Sequence, residues 1–305
     1  TGTLINMILL FYVTGISLWP FYLFLRMRQV RPDLSEPEGL RVAMVVTKAP
    51  SEPWPLVQAT LQAILAQCPP HDNWLADEQP SEEVLEWCDC HGVKVSTREG
   101  IEAYHRQTWP RRTRCKEGNL AYFYDHYGYL SYDVVVQLDA DHVPQPGYLT
   151  AMLQPFHDPM IGYVAAPSIC NANESSSWIA RGRLFAEAAL HGPMQMGFNG
   201  VWAPLCIGSH YAVRTKALQQ AGGLGPELAE DHSTTLLMNA NGWRGAFAHR
   251  AICFGLGPET FEDAMVQEFQ WSRSLTTILL FHLAPVIRQL EPKLRLQFFY
   301  AQVYY

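Results

Sequence analysis

The chain has 305 residues, of which 48% are hydrophobic and 17% are charged, and its formal net charge is −7. This composition excludes a disordered chain, and the length allows one large domain or two ordinary ones with a buried core. An acidic chain without a basic stripe argues against nucleic acid as a partner, because phosphate binding needs clustered cations. The 7 cysteines are scattered, which favours reduced thiols over a disulfide framework.

The first predicted element is an apolar segment, Leu4–Leu25, that contains no charged residue. It is long enough for a helix to cross a hydrocarbon core about 30 Å thick. Arg26, Arg28 and Arg31 follow it directly, so the positive-inside rule places the rest of the chain in the cytoplasm. A signal peptide is the alternative, but the positive residues follow the apolar run and no small-residue cleavage site is seen. We predict an anchor over residues 1–30 and a protein of the inner (plasma) membrane.

Alternating strands and helices follow a linker rich in proline and glutamate. Strand patterns are predicted at 40–47, 73–78, 93–98, 133–138 and 161–170. Helical patterns are predicted at 56–65, from 81 to a stop at Gly92, and from just after Asp231 to about Asn241. This alternation predicts a layered α/β domain with a mostly parallel sheet, whose ligands bind at the carboxyl ends of the strands. The domain is expected to cover residues 31–260.

The C-terminal part changes character. Residues 261–285 form a long helical pattern with many aromatic side chains, and 294–305 look like the apolar start of another span. We therefore predict amphipathic interface helices and the start of a further transmembrane helix over 261–305. Because the chain stops inside that apolar segment, a longer, multi-pass membrane protein is expected.

Two aspartates one residue apart, Asp139 and Asp141, follow the apolar run VVVQL and precede His142. At the carboxyl end of a strand, such a pair can hold a divalent cation on the phosphates of a nucleotide. The same D-x-D pattern is compatible with a haloacid-dehalogenase-type phosphatase, in which Asp139 would be a nucleophile. It is also compatible with an acidic turn ended by prolines. The pair alone does not distinguish these three possibilities.

Three further groups carry chemically useful side chains. Glu230 and Asp231 stand just before a predicted helix, where carboxylates either cap the helix or act as a general base. Lys116 opens a K-x-G-N motif and is either a surface lysine or a cation for a diphosphate. Gln267 and Trp271 lie one helical turn apart and share a face, on which the indole is either core or a platform for a sugar ring.

In this order the motifs VVT, LADE, K-x-G-N, DADH, AED and Q-x-x-Q-W resemble those of the processive family 2 glycosyltransferases. DADHVP and GLGPETF are most similar to bacterial cellulose synthases. The resemblance runs from about residue 40 to 275. It implies a cytosolic GT-A (Rossmann-like) domain that uses a UDP-sugar with Mg²⁺ or Mn²⁺ and inverts the anomeric centre. Beside it, the phosphatase interpretation becomes remote.

The resemblance implies a role for residues that match the family's motifs. The nucleotide would be bound by Thr47, Glu52, Asp77, Lys116, Asp139 and Gln270, to which our own hypothesis adds Arg273. The metal and diphosphate would be held by Asp139, Asp141 and His142. The acceptor sugar would be bound by Gln267, Trp271, Ile207, Gly208 and Ser209. Asp231, with Glu230 beside it, would be the general base that takes the proton from the acceptor hydroxyl.

The chain departs from the family at Gln270, where the resemblance leads us to expect an arginine that contacts the diphosphate. A neutral amide cannot give the charged, bidentate contact of a guanidinium. Our hypothesis is that Arg273, three residues further along the helix, supplies the missing charge.

The resemblance also implies a product and partners. The leading product is a β-1,4-glucan made from UDP-glucose, closely followed by a mixed-linkage β-1,3/1,4-glucan or a β-1,3-glucan. A synthase of the chitin or hyaluronan kind that uses another nucleotide sugar is the alternative, and a degenerate, non-catalytic scaffold is a remote one. The expected partners are the growing polysaccharide, the lipid bilayer and accessory export subunits.

Overall fold

The computed structural model describes residues 2–31, 34–35 and 37–303. Ten strands are found among these residues. They are β1 (Val42–Lys48), β2 (Asp72–Asp77), β3 (Lys94–Thr97), β4 (Val134–Leu138), β5 (Val143–Pro144), β6 (Ile161–Ala165), β7 (Ser168–Ile169), β8 (His210–Arg214), β9 (Arg244–Phe247) and β10 (Cys253–Phe254).

The described residues also form helices of very different lengths. The α-helices are α1 (Gly2–Leu25), α2 (Trp54–Leu65), α3 (Glu82–His91), α4 (Lys116–Phe123), α5 (Tyr129–Ser131), α6 (Tyr148–Leu153), α7 (Trp178–Ala189), α8 (Gln195–Phe198), α9 (Thr215–Gln220), α10 (Glu230–Ala240), α11 (Phe261–Thr277), α12 (Ala284–Val286) and α13 (Pro292–Val303). Tighter 3-10 turns occur at Glu102–Tyr104 and Gln154–His157, and wider π turns at Tyr124–Gly128, Leu190–Met194 and Ile278–Leu283.

Seven strands form one sheet in the order β3-β2-β1-β4-β8-β6-β9, and β5, β10 and β7 form a small second sheet. The pairs β1–β2, β1–β4, β2–β3 and β6–β9 are parallel, which agrees with the predicted α/β class. β8 is the exception, because it runs antiparallel to both β4 and β6. Its direction brings the residues before it beside the carboxyl end of β4, where Leu138 pairs with His210.

The sheet buries both of its faces. Val46 of β1 belongs to a hydrophobic cluster that includes Leu61 of α2. Val45, the preceding residue, points the other way and belongs to a second cluster with Leu120 of α4. Successive side chains of a strand point to opposite faces, so a continuous apolar strand needs a helix on each side. The carboxyl ends of β1 and β4 therefore open between two packed layers.

The predicted elements agree with the observed ones where local signals are strong. α3 begins after Ser81, whose Oγ accepts from the Val84 N–H, and ends at Gly92 with φ +70°. The predicted strand 161–170 is instead divided into β6 and β7. Pro167 lies in the break, and it has no N–H to donate to a sheet.

α1 is long and apolar enough to cross a membrane, by length and composition alone, and only 6% of its most apolar window is buried. Its C-terminal end contacts the rest of the protein. Leu23 is fully buried, and the backbone N–H of Arg28 donates to the carbonyl of Met196 at 3.0 Å. Among the described helices no second one passes the same test. α13, where a further span was predicted, has 12 residues and buries Leu294 and Phe298.

Candidate active site

Lys116, the first residue of α4, joins three distant segments of the chain. Its Nζ donates to Asp139 Oδ1 at 3.1 Å and lies 3.1 Å from Glu230 Oε1. It also donates to the carbonyl oxygen of Gly208. Burial opposes the charge, but the carboxylates of Asp139, Glu230 and Asp231 raise the pKa of Lys116. The lysine therefore remains a cation at neutral pH and holds these segments together.

Glu230 and Asp231 begin α10 but have different surroundings. Glu230 is 2% exposed, and its carboxylate is paired with Lys116. Asp231 is half-buried, and a Cβ at Gly208 would lie 3.2 Å from its Oδ2, so a side chain at this position would press on the carboxylate. Burial raises the pKa of both carboxyl groups. Asp231 is thus the more exposed of the two residues, whereas the Glu230 carboxylate is paired with the lysine.

The backbone of the D-x-D segment is held from two sides. The N–H of Asp139 donates to the carbonyl of Ser209 at 2.8 Å, a contact made possible by the antiparallel β8. The carbonyl of Ala140 accepts from the hydroxyl of Thr60 in α2 at 2.7 Å. Both contacts are outside the reach of local sequence patterns. They fix the direction in which the two aspartates leave the strand.

His142 is placed to hold Asp141. Its Nδ1 lies 2.8 Å from Asp141 Oδ1, and its Nε2 lies 3.1 Å from Ser168 Oγ. A side chain at Gly255 would collide with the imidazole, so this glycine allows the ring its position. Burial opposes the shift, but the hydrogen bond and charge of His142 lower the pKa of Asp141. Because both ring nitrogens are engaged, His142 orients the carboxylate and offers no free ligand atom here.

The crevice carries more negative charge than Lys116 balances. The side chains of Asp139 and Asp141 are 30% and 26% exposed, so both remain open to it. Glu52 lies near this pair, and burial together with the charges of the two aspartates raises its pKa to about 7. Among the described residues, no three His, Cys, Asp or Glu side chains are grouped to hold a metal by themselves. Two carboxylates fit Mg²⁺ or Mn²⁺ when substrate phosphates complete the coordination.

Thr47 of β1 and Asp77 of β2, both predicted to bind the nucleotide, are held in place by contacts with neighbouring strands. The Thr47 hydroxyl donates to the carbonyl of Leu138 at 3.3 Å, which ties β1 to β4. Asp77 is 1% exposed, and its Oδ2 lies 2.9 Å from Lys48 Nζ. β2 is two strands from β4, so Asp77 lies roughly 10 Å from the D-x-D edge by strand spacing. Sequence patterns did not predict Lys48 as its partner.

The segment before β8 contributes through its backbone. Gly208 and Ser209 offer carbonyl oxygens to Lys116 and Asp139, respectively. The Ile207 side chain is 8% exposed and packs with Ala165 and Phe247. Its side chain therefore belongs to a small apolar cluster rather than to a sugar-binding surface.

Ser274 connects α11 by hydrogen bonds to the segment just before Glu230 and Asp231. Ser274 Oγ accepts from the N–H groups of Leu228 and Ala229, at 3.0 and 3.1 Å, immediately before Glu230. Trp271, one turn earlier, lies on the same helix face. The face that carries the predicted acceptor residues is therefore next to the segment that carries the carboxylates.

Gln270 and Arg273 lie elsewhere on α11. Gln270 lines a shallow groove with Phe261, Met265, Val266 and Phe269, among others. Arg273 is exposed, and no side-chain hydrogen bond or ion pair is found for it within residues 37–303. At about 100° per residue it is roughly 200° around the helix from Trp271. It is roughly 60° around the helix from Gln270, so the hypothesis that Arg273 supplies the charge missing at Gln270 stays a prediction.

Thr60 offers a test of how the D-x-D segment is supported. Replacing it by valine keeps the shape but leaves the Ala140 carbonyl without its donor, so we expect T60V to lower the free energy of unfolding by about 1–3 kcal/mol. Urea denaturation with far-UV circular dichroism measures this difference. T276V is the matched control, because the exposed Thr276 hydroxyl bonds only within α11, to Ser272. Equal stability of the two variants would contradict the assignment.

Comparisons with known proteins agree with this architecture. The chain matches the family described as "Glycosyltransferase like family 2" over residues 37–274. The cellulose synthase 1 catalytic subunit (UDP-forming) of Komagataeibacter xylinus is 27% identical over 229 residues, which are 67% of this chain and 26% of that protein. The cellulose synthase catalytic subunit of Pseudomonas fluorescens SBW25 is 25% identical over 80% of this chain and 32% of that protein. The chain thus spans a third or less of either relative.

Two solved structures share the fold. A mannosyltransferase from Pyrobaculum calidifontis in complex with GDP-Man and Mn²⁺ has a TM-score of 0.62 at 20% identity, covering 89% of this chain and 71% of its own. Glucosyl-3-phosphoglycerate synthase from Mycobacterium tuberculosis, in complex with Mn²⁺, UDP and glucosyl-3-phosphoglycerate, has a TM-score of 0.50 at 17% identity, covering 79% of each chain. At these identities the likeness shows the fold, and it confirms the predicted GT-A class.

Proposed function

Because the chain belongs to glycosyltransferase family 2, we propose that it is a membrane-bound, inverting hexosyltransferase that elongates a β-glucan from UDP-glucose. The observation that carries this proposal is the convergence on Lys116 of Asp139, Glu230 and the segment of Gly208. One cation that is contacted by acids from two parts of the chain and by a carbonyl oxygen from a third suits a site that binds a diphosphate with a metal. Asp231 lies beside this cluster and is more exposed than Glu230.

Each residue of the cluster has a task in a single displacement. Asp231 takes the proton from the acceptor hydroxyl as its oxygen attacks the anomeric carbon, and UDP leaves with the electrons of the broken bond. Lys116 offers positive charge to the leaving diphosphate, and Glu230 keeps that lysine in place. A divalent cation bound by Asp139 and Asp141 would stabilise the charge that UDP gains. His142 keeps Asp141 in position.

The remaining assignments follow the same proposal. Thr47, Glu52 and Asp77 serve the nucleotide side of the crevice, with Lys48 orienting Asp77. Trp271 and Gln267 serve the acceptor side, where Ser274 anchors α11 beside the acids.

The apolar α1 and the arginines after it support an anchor in the inner membrane with the GT-A domain in the cytoplasm. A growing polysaccharide and accessory export subunits are the partners we propose.

The test is transfer from labelled UDP-glucose. Membranes containing the protein, with Mn²⁺ or Mg²⁺, should release UDP and form a polymer whose linkage analysis gives β-1,4, β-1,3 or mixed bonds. UDP-N-acetylglucosamine and UDP-glucuronate test the chitin-like and hyaluronan-like alternatives in the same assay. Release of inorganic phosphate without sugar transfer would indicate a phosphatase, and UDP binding with no turnover would indicate a scaffold. Either of these results would overturn the proposal.

A further inference from the structure

A buried arginine connects α7 to the acceptor face of α11. Arg183 is 9% exposed. Its Nη1 donates to Glu268 Oε1 at 2.9 Å and lies 3.4 Å from Glu187 Oε1. Its Nη2 donates to Gln267 Oε1 at 3.1 Å. The guanidinium carbon lies 4.7 Å from the centre of the Trp271 ring system. One side chain therefore touches both residues of α11 that are assigned to the acceptor site.

The contact with Arg183 covers one face of the Trp271 indole. A planar guanidinium over an aromatic face is held by the cation–π attraction and excludes any other ring from that face. A sugar ring can therefore stack only on the opposite face. A platform with one open face selects both the position and the orientation of the acceptor, which decides the hydroxyl that meets the base.

The contact with Gln267 fixes the direction of its amide. A guanidinium only donates hydrogen bonds, so the amide oxygen must be the atom that faces Arg183. The amide NH₂ is then the end turned away from Arg183, and no acceptor for it is found among the residues that the structure describes. An NH₂ group beside an indole face can donate to a sugar hydroxyl.

These contacts lie close to the reacting groups. Gln267, Trp271 and Ser274 follow one another on one face of α11, and Ser274 is bonded to Ala229, the residue before Glu230. We propose that Arg183 is the positioning residue of the acceptor site: it covers one face of Trp271 and orients the Gln267 amide toward the acceptor sugar. This inference rests on the proposed function and adds a residue from outside the motifs of the family.

Arg183→Lys is the decisive variant. Lysine keeps a positive charge beside Glu187 and Glu268, so the fold is preserved, but it has neither the planar face nor the fork of donors. We expect the KM for a cellopentaose acceptor to rise about tenfold, while the KM for UDP-glucose stays within about twofold. Arg181→Lys, on the exposed side of the same helix, is the matched control and should behave like the wild type.

Binding without turnover gives a second readout. In calorimetry with UDP and Mn²⁺ present, cellopentaose should bind R183K about tenfold more weakly than the wild type, and the affinity for UDP should not change. Equal acceptor binding by wild type and R183K would overturn the inference. An equal rise in both KM values would also overturn it, because Arg183 would then act on the donor or on the fold.

Arg273, which we hypothesise meets the donor diphosphate, is compared in the same series. A rise in the acceptor KM with R273K but not with R183K would overturn the inference. A different result would contradict the proposed function, namely a wild-type protein that releases no UDP from UDP-glucose. The calorimetric comparison would still decide whether Arg183 shapes the acceptor site.

Discussion

The Asp231→Asn variant is expected to lose about 10³-fold in the rate of sugar transfer, within the range for a general base in its transition state. Asparagine has the same shape and cannot accept the proton of the acceptor hydroxyl. Lys116 is held by Glu230, Asp139 and the Gly208 carbonyl, so the nucleotide side should keep its geometry. We therefore expect binding of UDP with Mn²⁺ to remain close to that of the wild type.

The measurements are initial rates of UDP release with and without an acceptor, and calorimetry with UDP and Mn²⁺. Glu227→Gln is the matched control: it removes a carboxylate four residues earlier, in a partly exposed position 3.9 Å from His282 Nε2. A D231N variant with a transfer rate within about tenfold of the wild type would exclude Asp231 as the base.

Asp139→Asn is expected to separate metal-dependent from metal-independent nucleotide binding. The amide keeps a partner for Lys116 but has lost the anionic oxygen that a hard cation prefers. We expect the affinity for UDP in the presence of Mn²⁺ to fall at least about 100-fold, the upper range for residues that only orient a metal ligand. In the presence of a chelator, wild type and variant should bind UDP equally weakly.

Asp133→Asn provides the comparison at the other end of the same strand. Asp133 forms an exposed pair with Arg41 at 3.1 Å, and such surface pairs contribute little. D133N should therefore bind UDP with Mn²⁺ as the wild type does. If Mn²⁺ improves UDP binding to D139N as much as it does for the wild type, Asp139 is not a metal ligand.

The D231N and D139N variants test the acceptor side and the donor side of the site separately. D231N tests the acceptor side and the chemistry, and D139N tests the donor side and the metal. Lys116 lies between them, bonded to Asp139 and paired with Glu230. Lys116 is only partly buried, and the carboxylates of Asp139 and Glu230, which would be costly to bury alone, are both balanced by this one cation.

Local sequence patterns were sufficient for the features that depend on neighbouring residues. The boundaries of α3 follow from a serine cap and a glycine with positive φ, which act within one helical turn. The apolar run of β4 and the acids after it predicted a ligand edge, since a buried parallel strand must end where polar groups can reach solvent. The order of the motifs along the chain was sufficient for the family.

Contacts between residues far apart in the chain could not be predicted in this way. The direction of β8 depends on its two neighbours in the sheet, and Thr60 is useful because α2 packs over the D-x-D turn. Helical spacing could only indicate cations on α11 itself, such as Arg273, and could not identify Arg183, which reaches Trp271 from α7. Spacing along one helix specifies which residues share a face, but the partner of that face is chosen by packing. The sequence was thus sufficient to predict the reacting groups. The residues that hold these groups in place became clear only from the tertiary structure, because they come from distant parts of the chain.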